Sequence, residues 1–276
     1  MVIGMDNRPI GVFDSGLGGL TAVRELMQVL PQESIVYFGD TGRVPYGTKS
    51  AETIRKYTRQ DIAFLKTKGV KMILAACGTV SSVASEIGDA CGLPFTGVLR
   101  PTAEAAIRVT KTGKIGVIGT QATVSSGSYE RHVKALDPKA EVYSCACPLF
   151  VPFVENGVIA PEDPMVRLVV ERYLHYFDEK GIDTLILGCT HYPILQESIA
   201  AVMGDSVTLI NSGREAALHC VEMLRENGQL CGEGASPCHQ FFVSDQVDGF
   251  QSMADICLGH AVDAAVRFID IDRYPA

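Results

Sequence analysis

Two segments of this chain repeat one another, and each ends in a cysteine. Residues 69–77 read Gly-Val-Lys-Met-Ile-Leu-Ala-Ala-Cys, and residues 181–189, 112 positions later, read Gly-Ile-Asp-Thr-Leu-Ile-Leu-Gly-Cys. Each is a glycine, an apolar run of strand length, and a cysteine just past the predicted strand end. A shorter repeat, Ile-Gly-Val, pairs residues 10–12 with 115–117. Two similar halves that face each other across a cleft are the simplest explanation, and chance likeness of buried strands is the alternative.

Short β-branched runs alternate with amphipathic stretches along the whole chain. The predicted strands lie near residues 9–13, 34–38, 70–76, 94–98, 114–118, 141–143, 182–187, 207–210 and 240–243. Residues 17–30 are predicted to form the first helix. Steps of three and four predict one buried helix face that contains Met165, Leu168, Val169, Tyr173 and Tyr176, and another that contains Ala217, Cys220 and Leu224. This alternation predicts an α/β fold with mostly parallel sheets, in which function lies at the carboxyl ends of the strands.

Composition narrows the class of protein. The 276 residues carry a formal net charge of −8, which argues against binding to nucleic acid or to an anionic membrane. No apolar run approaches the roughly 20 residues that cross a bilayer, and residues Met1–Arg8 lack the pattern of a signal peptide. We therefore expect a cytoplasmic protein whose nine cysteines are free thiols.

A pair of equivalent cysteines on two facing halves is what inversion of a stereocentre needs. One group must remove a proton from one face of a carbon while another delivers a proton to the opposite face. A thiol has a reference pKa of about 8.5 that its surroundings can lower toward neutrality, and proton transfer is most efficient near that range. Cys77 and Cys189 are therefore candidate catalytic groups, although a lone cysteine after a strand is more often a core residue.

Each cysteine has candidate helpers. Gly78 and Thr79 could begin a helix over residues 80–87, whose amino end favours a thiolate or a bound carboxylate. His191 could exchange a proton with Cys189, and Asp14 follows the first strand where a catalytic carboxylate could lie. The alternatives are a structural histidine and an aspartate that caps the next helix. The glycines at 16, 18 and 19 lack the spacing of a dinucleotide-binding loop.

A metal site is a weaker interpretation of the remaining cysteines. Cys145-x-Cys147 and Cys231 with Cys238-His239 are the other clusters, and neither has the ligand spacing of a structural zinc site. We expect no metal.

The chain resembles the glutamate racemase family, within the aspartate/glutamate racemase superfamily. The motifs that carry the resemblance are residues 11–19 (Gly-Val-Phe-Asp-Ser-Gly-Leu-Gly-Gly), 38–40, 44–47, 77–79, 119–123 and 187–193. The resemblance implies two similar parallel-sheet α/β domains with pseudo-two-fold symmetry, and an active site in the cleft between them. We expect residues 1–100 and 211–276 to form the first domain and residues 101–210 the second. The resemblance also implies that glutamate is the substrate and that the enzyme uses no cofactor and no metal.

The family's site residues carry over by position. The resemblance implies that Cys77, assisted by Asp14, takes the α-proton of D-glutamate, and that Cys189, assisted by His191, takes that of L-glutamate. The implied substrate-binding positions are Ser15, Pro45, Tyr46, Gly47, Gly78, Thr79, Thr120, Thr123 and Thr190. Asp40 and Glu155 match carboxylates near the site. Gly78 departs from the family, which usually has asparagine there.

Three other functions remain open on the sequence. Gly78 leaves room for a racemase of aspartate or another acidic amino acid. A catalytically silent relative that binds an amino acid would keep the fold without moving a proton. A thiol redox protein would need Cys77 and Cys189 to form a reversible disulfide, and the chain has no Cys-x-x-Cys motif. The family resemblance favours the racemase, as a homodimer that supplies D-glutamate for peptidoglycan.

Overall fold

The computed structural model describes residues 5–232, 234–245, 247–259 and 265–276. Residues 1–4, which begin the segment examined for a signal peptide, lie outside this part of the chain. Among the described residues, no helix is both long and apolar enough to cross a membrane. Nor do those residues include a group of three or more histidine, cysteine or acidic side chains that could hold a metal ion.

The described strands form two sheets in which every pairing is parallel. The first sheet has the order β10-β9-β2-β1-β3-β4, and the second has the order β6-β5-β7-β8. In chain order the strands are β1 (Ile10–Asp14), β2 (Ile35–Gly39), β3 (Met72–Ala75), β4 (Phe95–Gly97), β5 (Lys114–Gly119), β6 (Glu141–Ala146), β7 (Thr184–Leu187), β8 (Thr208–Asn211), β9 (Gln240–Val243) and β10 (Val266–Phe268). The central strands β1, β3 and β7 are buried throughout, as parallel strands covered on both faces must be.

Helices connect and cover the strands. They are α1 (Leu20–Val29), α2 (Ala51–Thr67), α3 (Gly78–Val83), α4 (Ser85–Asp89), α5 (Leu99–Val109), α6 (Gln121–Ser126), α7 (Ser128–Leu136), α8 (Phe150–Glu155), α9 (Pro164–Leu174), α10 (Gln196–Met203), α11 (Ser212–Glu226) and α12 (Phe250–Leu258). Local capping explains several starts. Ser50 accepts a hydrogen bond from the amide of Thr53 at α2, and Asn211 accepts from two amides at α11.

The internal repeat is a repeat of topology. The order β2-β1-β3-β4 in the first sheet corresponds strand for strand to β6-β5-β7-β8 in the second. In each half the first strand is flanked by the second and third, so β1 pairs with β2 and β3 while β5 pairs with β6 and β7. The two repeated segments are therefore β3 and β7, and each carries its cysteine just beyond the carboxyl end.

One buried apolar cluster extends through both sheets. It includes Val12 of β1 and Leu185 of β7, together with Leu26 of α1 and Cys220 of α11. Helices α1 and α11 pack against each other, and α11 also packs against α5. The two sheets thus share this cluster, and a further buried cluster lies within each half.

The predicted inner face of α9 and the turn after it is confirmed only in part. Val169 and Tyr173 are half-buried against the core, but the other three residues of that face are not. Met165, Leu168 and Tyr176 are 58%, 65% and 45% exposed, whereas the next residues along, Val166, Val170, Leu174 and Phe177, are buried. Both sets have helical spacing, so periodicity alone could not decide which stripe faces the core. The other predicted face is confirmed, because Ala217, Cys220 and Leu224 are all buried.

Other differences concern the ends of elements. Helix α1 begins at Leu20 and not at 17, and the helix predicted over residues 80–87 is interrupted at Ala84 to give α3 and α4. Strand β10 was not predicted. It is a short edge strand with two exposed residues out of three, so it lacks the apolar run that marked the others.

A buried ion pair joins β3 to the segment that precedes β2. The Lys71 ammonium lies 2.6 Å from the Glu33 carboxylate, and both side chains are almost completely buried. Lys71 also donates to the carbonyl oxygens of Asp6 and Gln229, each at 2.7 Å. The buried ammonium group therefore has one charged partner and two carbonyl acceptors.

Replacing Lys71 with methionine is expected to lower the free energy of unfolding by about 3–5 kcal/mol, because the Glu33 charge stays buried without its partner. Denaturant titration followed by circular dichroism measures the change. Arg55→Ala, which breaks the solvent-exposed pair with Glu86, is the matched control and should cost at most about 1 kcal/mol. Equal losses in both variants would contradict the expectation.

Candidate active site

A cavity of about 330 Å³ lies where strands from the two sheets end. Residues that follow β1, β3, β5 and β7 line it, together with the loop after β2 and the start and end of α8. Carboxyl ends of parallel strands are where ligands bind in open α/β sheets, and this volume is within the range of small-molecule sites. Both repeated cysteines lie on its wall.

Cys77 follows β3 and immediately precedes α3. Its thiol donates to the hydroxyl of Ser15 across 3.5 Å. Burial, and then the negative charge of Asp14, raise the pKa of Cys77 to about 12. Asp14 is itself held by the amides of Gly16 and Gly19, which donate to one carboxylate oxygen at 3.2 and 2.9 Å. Cys77 therefore holds its proton at neutral pH.

Cys189 follows β7 and lies beside a histidine. Its sulfur is 3.8 Å from Nδ1 of His191, and Nε2 of the same ring is 3.3 Å from a carboxylate oxygen of Glu155. Burial by itself lowers the pKa of His191, but the contacts with Cys189 and Glu155 outweigh it and raise this pKa to about 10. His191 is therefore an imidazolium at neutral pH, so the two thiols have opposite electrostatic environments.

Glycine permits the ring of His191 to take this position. A Cβ at Gly18 would lie 2.3 Å from Cε1 of His191 and 2.7 Å from the hydroxyl oxygen of Thr190. The glycine-rich segment after β1 therefore brings the backbone against the Cys189 side of the cavity. The hydroxyl of Thr21, in α1, also donates to the carbonyl oxygen of Thr190 at 2.8 Å.

The two cysteine-bearing strand ends touch each other through glycines. A Cβ at Gly78 would lie 2.6 Å from the carbonyl oxygen of Gly188, closer than real Cβ atoms come. Gly188 is fixed in turn, because its amide donates to the carbonyl of Ile118 at 2.8 Å. Gly78 therefore sets the spacing between the residues that follow β3 and those that precede Cys189.

The loop after β2 forms another wall. Its Gly47 lies close to the other half, since a Cβ there would be 3.6 Å from Cβ of Thr120. The hydroxyls of Thr120 and Thr123 are 3.1 Å apart, and Thr120 caps α6 by accepting from the amide of Thr123. This part of the cavity thus offers hydroxyls and amides and no charged side chain.

Nearly all the predicted site residues line the cavity. They are Asp14, Ser15, Pro45, Tyr46, Gly47, Cys77, Gly78, Thr79, Thr120, Thr123, Glu155, Cys189, Thr190 and His191. Asp40 does not line it. Asp40 is the residue directly after β2. It is buried, pairs with Arg43 and accepts a hydrogen bond from the Tyr46 hydroxyl.

Sequence reasoning missed part of the wall. The additional residues are Gly16, Val44, Thr48, Gln121, Pro148, Val151, Pro152, Gly188 and Tyr192. Some of them lie inside or directly beside the family motifs, so their position in the sequence could have identified them as site residues. Pro148, Val151 and Pro152 lie just before Glu155 in the chain, and their apolar side chains gave no reason to place them at the site.

The described lining contains no lysine and no arginine. Anionic groups of a ligand would instead meet the His191 cation, threonine hydroxyls and the first amides of α3 and α6. Those amides lack partners within their own helices. A set of neutral donors with one cation suits a small dicarboxylate that carries its own ammonium group.

The comparisons with known proteins agree with this geometry. A family model described as Asp/Glu/Hydantoin racemase matches residues 19–220. Since this match covers well over half of the chain, the protein belongs to the Asp/Glu/Hydantoin racemase family.

Particular relatives narrow the group. The chain is 46% identical over 253 residues to the glutamate racemase of Chlorobaculum tepidum. The aligned residues cover 91% of this chain and 92% of that protein. It matches the crystal structure of glutamate racemase from Francisella tularensis in complex with D-glutamate, with a TM-score of 0.90 and 40% identity. The match covers 98% of this chain and 100% of that one. Glutamate racemase isoform RacE1 from Bacillus anthracis gives a TM-score of 0.91 at 39% identity, with coverage of 96% and 98%. These relatives place the chain in the glutamate racemase family.

Proposed function

We propose that this protein interconverts L- and D-glutamate by proton transfer between two thiols, without a cofactor. The observation that carries the proposal is the pair of cysteines, Cys77 and Cys189, on the wall of one cavity at corresponding strand ends of two like-ordered sheets. The relative from Francisella tularensis has a structure in complex with D-glutamate, which supports glutamate as the substrate. D-Glutamate made in this way would serve peptidoglycan synthesis.

The charge distribution suggests how the first proton moves. Starting from L-glutamate, Cys189, which lies beside the His191 cation, acts as the base that removes the α-proton. Cys77, which keeps its proton at neutral pH because its pKa is about 12, then delivers that proton to the other face of the carbanion and becomes a thiolate. The product is D-glutamate, and the two thiols have exchanged protonation states. The reverse reaction starts from this second state.

The α-proton is a weak acid, so the carbanionic transition state needs stabilisation. Donors held around the substrate carboxylate in a closed site provide it. We assign this binding role to the nine residues of the expected set, Ser15, Pro45, Tyr46, Gly47, Gly78, Thr79, Thr120, Thr123 and Thr190. Glu155 would act through His191, and Asp14 would keep Cys77 protonated.

Proton NMR in D2O tests the proposal. Purified protein with L-glutamate should lose the α-proton signal while D-glutamate, measured by chiral chromatography, accumulates. Exchange on aspartate but not on glutamate would move the assignment to another acidic amino acid. Absence of exchange on both would contradict a racemase and favour a silent amino-acid-binding protein.

The dependence of rate on pH should follow His191. Because the pKa of His191 is raised to about 10, kcat/KM for L-glutamate should fall as pH rises through about 10 and the imidazolium is lost. Glu155→Gln removes one of the two contacts that raise this pKa, so the alkaline limb should move to lower pH. Glu162→Gln, on an exposed residue outside the cavity lining, is the control. An alkaline limb unchanged in Glu155→Gln would contradict the role of the Glu155–His191 pair.

The remaining organisation of the protein is also a proposal. We divide the chain into a domain of residues 1–100 with 211–276 and a domain of residues 101–210, supported by the strands of each sheet. We propose a homodimer, supported by the exposed apolar side chains of Met165, Leu168 and Tyr176. A cytoplasmic location fits the nine free cysteines, which a reducing compartment maintains.

A further inference from the structure

In the loop after β2, the phenol of Tyr46 lies between two buried carboxyl groups. The hydroxyl of Tyr46 contacts Oδ2 of Asp40, and it is 3.0 Å from Oδ2 of Asp61, a residue of α2. All three side chains are almost completely buried. Asp61 was not singled out by the sequence and does not line the cavity.

The number of protons in this cluster is limited. A phenol has one proton, so it can donate to one carboxyl oxygen only. If both carboxyl groups were ionised, the second oxygen–oxygen contact would have no hydrogen between its atoms, and two buried charges would face each other. One of the two carboxyl groups must therefore carry a proton and donate it to the phenol oxygen.

The other donors identify which group is protonated. Asp40 accepts from Nε of Arg43 at 2.6 Å and, on its other oxygen, from the hydroxyl of Ser244 at 2.7 Å. Within the described part of the chain, Asp61 accepts one further hydrogen bond, from Nη2 of Arg43 at 3.1 Å. More donors, at shorter distances, favour the charged form at Asp40. Burial, followed by the charge of Asp40, raises the pKa of Asp61 well above its usual range.

The surrounding charges are consistent with this assignment. Arg43 is the cation that touches both carboxyl groups, and its other nitrogen donates to the side-chain oxygen of Gln60 at 2.6 Å. Asp272 lies 3.6 Å from Arg43 but is 77% exposed to water. With Asp61 neutral, the buried part of the cluster contains one cation and one anion.

We infer that Asp61 is a positioning residue that acts in its protonated form, donating to Tyr46, which donates to Asp40. The chain of two hydrogen bonds fixes Tyr46 and with it Pro45, Gly47 and Thr48 on the cavity wall. Gly47 is the point where this wall meets Thr120 of the other half. The inference rests on the proposed racemisation, because the wall it positions belongs to that site.

The matched variants Asp61→Asn and Asp61→Ala test this role. Asparagine is neutral and can still donate to the phenol oxygen, so KM for glutamate should stay within about twofold of wild type. Alanine removes the donor, and KM should rise about tenfold with a smaller change in kcat. Impairment of both variants to the same degree would show that a negative charge is needed at position 61. An unchanged KM in Asp61→Ala would remove the positioning role.

Infrared difference spectroscopy tests the proton itself and does not depend on activity. Wild-type protein at neutral pH should show the C=O stretch of a protonated carboxyl group that shifts in D2O and is missing in Asp61→Asn. If this band is absent from the wild type, the inference is wrong even if glutamate is racemised. If the band is present but no glutamate turns over, the proposed function fails and the proton assignment stands. The Asp61→Asn measurements decide the question if Asp61→Ala does not fold.

Discussion

Replacing either Cys77 or Cys189 with alanine is expected to slow the interconversion of glutamate enantiomers at least about a thousandfold, in both directions. Each thiol serves one face of the α-carbon, so loss of either one blocks inversion from both sides. A positioned acid or base contributes about 10²–10⁴-fold to a rate, and here a single change removes the acid of one direction and the base of the other. Coupled assays started from each enantiomer measure the effect.

Cys220→Ala provides a matched control. Cys220 is at least as buried as the two cavity cysteines, and burial raises its pKa to about 12, as it does that of Cys77, but Cys220 lies in α11 and outside the cavity lining. Its loss should leave kcat/KM unchanged. Rapid racemisation by Cys77→Ala or Cys189→Ala would show that one thiol, or neither, takes part.

The single-thiol variants should also separate the two faces. In Cys77→Ala, Cys189 can still remove and return a proton on its own side, so L-glutamate should exchange its α-proton with D2O without inversion. Cys189→Ala should exchange D-glutamate without inversion too, but more slowly at neutral pH, because Cys77 has a pKa of about 12 and must lose its proton before it acts as a base. NMR combined with chiral chromatography reports both events. Exchange of the opposite enantiomer by each variant would reverse the assignment of the faces.

Gly78→Ala is expected to lower kcat/KM about a hundredfold with only a modest loss of stability. Its Cβ would lie 2.6 Å from the carbonyl oxygen of Gly188, so the ends of β3 and β7 would have to separate. Cys77 and Cys189 are the adjacent residues and would move with them. A misplacement of about 1 Å can cost 10²-fold in rate. Steady-state kinetics and thermal unfolding, measured together, separate the loss of rate from unfolding.

Gly249→Ala is the control for this variant. Among the described residues, no atom outside its own chain neighbourhood lies within 4 Å of the position of its added Cβ, and its φ of −82° suits alanine. Its kinetics should match those of the wild type. The family's usual asparagine at position 78 would meet the same oxygen, so Gly78→Asn should be impaired in this chain too. Wild-type kinetics in Gly78→Ala would mean that the two strand ends are farther apart during catalysis.

The sequence predicted the parts of this fold that depend on local pattern. The nine predicted strands are confirmed because each is a short apolar run bounded by turns, and the repeated cysteine marks the same strand end in both halves. The inner face of α9 was predicted only in part because two apolar stripes run along that helix, and packing decides between Val166 and Met165.

Contacts between distant segments left no such pattern. Asp61 is a polar residue within a helix, and nothing in its neighbourhood indicates that it faces Asp40 and Tyr46. The contact between Gly78 and Gly188 likewise depends on how two strand ends are placed across the cleft. Both features join residues that are far apart in the chain, so a reading of local periodicity could not have found them.

The apolar cluster shared by the two sheets has a consequence for dissecting the molecule. The sequence reads as two copies of one motif, and each half has a buried apolar cluster of its own. Helices α1 and α11 nevertheless bury their apolar residues against each other in a further cluster that extends through both sheets. A gene fragment that encodes one half would leave that surface in water. The repeat therefore describes how the chain is organised, whereas part of the apolar surface of each half is covered only by the other half.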